Sequence, residues 1–315
     1  MWGNALGWRI SIVLFALAMG FGVWLRGQMQ ITDPTNLSLD PKNMAELSPP
    51  IGAEGIVAQD QPGDAGEKYS EASQINLDDP DTCDDYSQKP DGPPPQAMQL
   101  VLDATRLSQM NLFAKNPGSV IDYQSDHPEL DSLAKIGQEM ESAALRLERA
   151  GKTDDARKFL VAAYALGANL LRERVDYDEY SHGMGLMDGA TTALAEMEPA
   201  GSPRAQMLQG QESAMEGYDH DVVEPIYEVL TSADPEKIAA NAGDIFRFAT
   251  RAQERMFRVE AILKLGRYRF NSARAADQLA APRFLRVLAQ DPDPAIRAAA
   301  QAAAGLTVEQ YRMIH

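Results

Sequence analysis

From Gln96 to the C-terminus, apolar and small side chains return every three or four residues, and no run keeps the two-residue alternation of a strand. That rhythm admits amphipathic helices and little else. Met98, Val101, Leu102, Thr105 and Leu112 predict a first helix. A second opens at Pro128, carries Leu130, Leu133, Ala134, Gly137, Met140, Ala144 and Leu147 on one face, and stops at Gly151. Thr153 is expected to cap a third, whose stripe is Ala156, Phe159, Leu160, Ala163, Gly167, Leu170 and Leu171. Two long helices joined by so few residues must run antiparallel. Further on, Ser202-Pro203 and Asp234-Pro235 read as helix starts, and Glu198-Pro199-Ala200-Gly201 and Gly217 as stops, while Asp221 with Glu224 offers a capping box.

The chain ahead of Gln96 has another character. Ile10 to Leu25 is an uncharged run bounded by Arg9 and Arg26, with Trp8 and Trp24 near its ends. Such a helix rises about 24 Å, so with snorkelling arginines and interfacial tryptophans it can cross a bilayer. The expectation is an uncleaved, single-pass signal-anchor over residues 1–30 with the rest of the chain on the exported side. The rival is cleavage after Ala18-Met19-Gly20. Residues 31–95 hold Pro34, Pro41, Pro49, Pro50, Pro62, Pro80, Pro90 and Pro93-Pro94-Pro95, and the acidic excess of a chain of net charge −17 is steepest near there. Proline removes backbone donors and the tract is poor in apolar surface, so it is expected to be a disordered linker. The run Asp78 to Asp85 lacks the spacing of a calcium loop and reads as a solvated face. Cys83, the only cysteine, sits among Asp81, Asp84 and Asp85, whose field should keep the thiol protonated.

Two stretches of the 96–315 domain resemble known helical repeats. Residues 137–170, with Ala144, Leu147, the Gly151 turn, Ala156, Leu160 and Ala163, resemble one degenerate tetratricopeptide unit, although Met140 and Ala143 stand where the pattern prefers tryptophan and leucine. Leu285, Leu288, Asp291-Pro292-Asp293-Pro294, Ile296, Arg297, Ala299, Ala300, Ala303 and Leu306 resemble the turn and second helix of a HEAT repeat. The resemblance implies an all-α fold of stacked antiparallel hairpins, a solenoid-like α-superhelix behind the transmembrane helix and linker. It also implies a role in binding protein partners.

No phosphate loop, nucleophile elbow or paired-cysteine motif is present, so no catalytic residue and no cofactor is assigned. The acidic surface disfavours nucleic acid. Arg247, Arg251, Arg255 and Arg258 recur at helical spacing, either as a face paired with Glu254 and Glu260 or as a docking strip for an acidic partner. Glu179 with His182, and Glu216 with His220, are the candidate metal ligands of an alternative reading, an exported metal-binding or metal-dependent helical enzyme. His127, which precedes a proline, draws no role. The reading that follows is a membrane-anchored helical scaffold binding protein partners at the cell envelope.

Overall fold

The computed structural model describes residues 55–313 except 122, 124–126, 233–242, 251, 253 and 271–274. The anchor, the first part of the linker, Asp234-Pro235 and Arg251 therefore lie outside the described residues. β1 (Gln61–Asp64) leads into α1 (Ala65–Asp78), α2 (Asp81–Gln88) and α3 (Gln96–Ala104), and β2 (Leu107–Gln109) pairs parallel to β1 with Gln61 opposite Leu107. Then come α4 (Pro128–Arg149), α5 (Thr153–Glu173), α6 (Tyr177–Glu196) and α7 (Pro203–Tyr218). A π-helical turn, Asp219–Val223, continues into α8 (Glu224–Thr231). Helical residues 243–250 precede α9 (Arg255–Tyr268), α10 (Ala275–Leu288), α11 (Pro294–Gly305) and α12 (Val308–Met313). The described chain is mostly helical, as the periodicity predicts, and none of its helices is long and apolar enough to cross a membrane.

The core is organised round α5. Every residue from Ala162 to Leu171 is buried, so this helix has no wet face over that stretch. It is enclosed by α3, α4 and α6. The α5–α6 contact is made by glycine on both sides: a Cβ on Gly167 would lie 2.7 Å from the carbonyl oxygen of Gly183, and one on Gly183 would lie 2.9 Å from that of Gly167. Neither helix could approach so closely with any side chain at the crossing. α6 itself runs unbroken through Gly183, Gly185 and Gly189.

Several boundaries fall where the sequence puts them. Pro128 occupies the first turn of α4, and Gly151, at φ +76°, ends it with Lys152 N–H on the Leu147 carbonyl (2.9 Å) and Gly151 N–H on that of Glu148 (2.8 Å). Those two bonds close a Schellman turn, which requires the left-handed residue. Ser202 caps α7 by accepting from Ala205 N–H at 3.1 Å, and Asp293 caps α11 through Ala295 N–H at 2.8 Å. Other boundaries differ. Thr153 is the first residue of α5 rather than its cap, and Lys152 in the cap position makes no side-chain bond. Gly217 does not stop α7, and Asp221 and Glu224 form no capping box. Pro225 has no N–H and its ring crowds the carbonyl four residues back, so the helix widens there, with Glu224 N–H reaching Asp219 O.

The largest correction concerns the linker. Residues 61–88 are ordered elements of the domain, so its boundary cannot stand at residue 95. Ala65, Tyr69 and Ala72 follow a helical stripe into the core, and Asp64 caps α1 by accepting from Gly66 N–H at 3.0 Å. Tyr69 Oη accepts from Asn169 on α5 at 3.1 Å, and Asn76 donates to Ser132 Oγ on α4 at 3.1 Å. The prolines sit between these helices, not within them: Pro80 precedes α2 and Pro95 precedes α3. Composition alone reads such spacing as disorder.

Cys83 is buried under α2, and burial, followed by the charge of Glu139, pushes its thiol up to about 11. A maleimide at neutral pH is expected to leave Cys83 unmodified in the native chain and to react rapidly once urea unfolds it; equal rates would refute the packing of 81–88. Gly167→Ala is expected to lose about 1–3 kcal/mol in urea melts by overpacking the crossing. Gly185→Ala, where nothing lies within 4 Å of the added carbon, should instead be neutral or gain up to about 1 kcal/mol of helix propensity.

Candidate functional site

The four candidate ligands Glu179, His182, Glu216 and His220 do not converge. Glu179 is fully buried, its carboxylate accepting from Val175 N–H at 2.6 Å. Burial, then the nearby Glu173 carboxylate, raises its pKa well above the ordinary value. His182 faces Asp131 on α4 at 3.4 Å. His220 is exposed and meets Glu224 one turn on at 3.1 Å, while Glu216 lines a small cavity of about 240 Å³ between α6 and α7. The quartet is thus corrected to four separate environments, because the helix faces that carry these residues are held apart by the α6–α7 packing.

The arginine stripe does not form a free strip either. Arg255 pairs with Asp293 at 3.0 Å and Arg258 with Asp291 at 2.6 Å, fastening α9 to the turn before α11. Arg247 pairs with Asp244 at 3.1 Å. The partners expected from sequence, Glu254 and Glu260, are engaged elsewhere. Arg297 donates to the carbonyls of Asp291 and Pro292, both at 2.7 Å.

Polar groups concentrate at the junction of α5 and α6. Glu173 closes α5 and accepts from Leu112 N–H at 3.0 Å and Ala114 N–H at 2.5 Å, pinning the loop after β2. Arg174 takes a left-handed conformation, φ +24°, and pairs with buried Glu254 at 2.7 Å. Asp176 then caps α6 through Glu179 N–H at 2.9 Å. His127, at the start of α4 and only 6% exposed, reaches across to Asp178 at 3.4 Å. One ligand atom from each of His127, Asp176 and Asp178 falls within 4.8 Å of the others, the one such His/Cys/Asp/Glu group among the described residues. Glu260 of α9 stands close by; burial, Asp176 and Asp178 push its carboxyl up to about 8. Sequence reading passed over His127, since a histidine before a proline carries no local signal.

A second feature is an open cleft of about 650 Å³ bounded by the chain at 56–58, by α2 and α3, and by α5. Its floor is apolar, with Tyr86 stacked on Phe159 (centroids 6.0 Å apart) beside Leu102 and Val161. Charged Asp103, Arg106, Lys152, Asp155 and Lys158 stand on its rim.

Glu141 on α4 is a further buried carboxyl, pressed against Gly189 and raised to about 8 by burial, then by Asp188. A carboxyl raised in the folded state contributes stability below its unfolded pKa and loses it as pH climbs through the folded one. Stability is therefore expected to fall between about pH 5 and about pH 8, and Glu141→Gln should flatten part of that fall in urea melts across the range. An unchanged profile would refute the assignment.

Comparison of the chain with protein-family models, with curated proteins and with solved structures returns no match, so its function is read from these side chains alone.

Proposed function

We propose that this chain is a membrane-tethered helical scaffold that receives a polypeptide segment in the cleft between α2–α3 and α5. The observation that carries this reading is the cleft itself: an open, aromatic-floored groove with a charged rim. A ligand side chain seated against Tyr86, Leu102 and Phe159 would bury apolar surface, and the rim charges would fix the register of its backbone. Grooves of this kind between stacked helices are a common use of helical-repeat domains.

The finer architecture belongs to the same proposal. α4 and α5, joined by three residues, form an antiparallel hairpin, and α6 with α7 extend it, the arrangement a tetratricopeptide-like stack would give. α10 and α11, with the Asp293 cap and the Pro294 first turn, supply the HEAT-like end. The apolar run Ile10 to Leu25 would anchor the stack, with the domain exported and working a short distance from the bilayer.

Site-specific photo-crosslinking in intact cells tests it, using the full chain with the label at Gln99 on the cleft rim and, as control, at exposed Gln138 on α4. The expected result is a discrete polypeptide adduct in the membrane fraction from Gln99, absent from Gln138 and lost when Leu102→Glu is added. An unlabelled cleft, or an adduct indifferent to Leu102→Glu, overturns the reading.

A further inference from the structure

We infer that His127, Asp176 and Asp178 form a binding site for a divalent cation of the zinc or manganese class. The site is independent of the cleft. Its three donors come from two separated stretches of chain, the entry to α4 and the first turn of α6 with its cap, and their ligand atoms lie within 4.8 Å of one another. Metal–nitrogen and metal–oxygen bonds of about 2.0–2.2 Å put neighbouring donors of a tetrahedral ion about 3.4 Å apart; His127 Nε2 and an Asp178 carboxylate oxygen already stand at 3.4 Å, and the group of three as a whole lies within 4.8 Å.

Charge supports the same assignment. Asp176 and Asp178 both lie beside one imidazole, and among the described residues His127 is the only ion-pair partner of Asp178. Asp176 is buried beside half-exposed Asp178, and a protonated histidine supplies only one positive charge for the two carboxylates. The burial gradient fits as well: His127 is enclosed while the Asp178 side chain is half exposed, which leaves an entry path for a hydrated ion.

Donor chemistry selects the ion. An imidazole nitrogen with carboxylate oxygens suits Zn²⁺ or Mn²⁺, whereas Ca²⁺ prefers oxygen ligands throughout and Cu⁺ prefers sulfur. A cation here would tie the entry of α4 to the α5–α6 junction, beside the strained Arg174 and its tether to α9.

Equilibrium dialysis of the detergent-solubilised full chain against Zn²⁺ and Mn²⁺, read by elemental analysis, tests the site. One equivalent per chain is expected for one of the two ions, with a raised melting temperature. Asp178→Asn, at a half-exposed position where the fold tolerates an isostere, should weaken binding by at least about tenfold, and His127→Asn by as much. His220→Ala, which removes the exposed His220–Glu224 pair, should leave the affinity unchanged. No uptake at stoichiometric metal, uptake that survives both Asp178→Asn and His127→Asn, or uptake abolished by His220→Ala overturns the inference. Circular dichroism of each variant confirms that loss of binding is not loss of fold.

Discussion

Everything in this domain is hung on the backbone contact between Gly167 and Gly183. Because α5 and α6 touch through peptide groups there, α5 can sink entirely into the protein and still be reached from α3 and α4 on its other sides. A helix so enclosed must satisfy its polar residues internally. Asn169 does so through Tyr69 and Gln59, and Glu173 through two amides of the loop after β2. The crossing therefore dictates where buried hydrogen bonds are needed, and those bonds bring the N-terminal helices and the loop into place.

The parts of the fold legible in the sequence are those governed by local chemistry. Pro128, Gly151, Ser202 and Asp293 mark ends that depend on a single turn of backbone, and each is found where the residue type requires it. What escaped depends on residues far apart in the chain. The burial of α1 rests on Asn169 and Ser132 and that of the short α2 on α4, so nothing inside them distinguishes a packed helix from an acidic linker. The glycines of α6 look like interruptions until Gly167 is set against them. The arginine stripe shows its spacing in sequence, but the partners of Arg255 and Arg258, Asp293 and Asp291, lie more than thirty positions away.

The candidate sites follow the same division. The spacing of Glu179 and His182 is a helical signal, and the helix is real, but helical spacing cannot say which face is buried. Glu179 turned inward to cap its own first turn while His182 stayed at the rim of α4. The His127–Asp176–Asp178 group is instead made by the meeting of two helix starts, and no window of sequence contains it.

The π-helical turn at Asp219–Val223 gives the domain a joint without a loop. By widening one turn, it rotates the outward direction of everything after it, so a single continuous rod serves α6 with its first half and α9 with its second. The layer that α9 belongs to is thereby joined to α6 through one unbroken helical element in place of a loop.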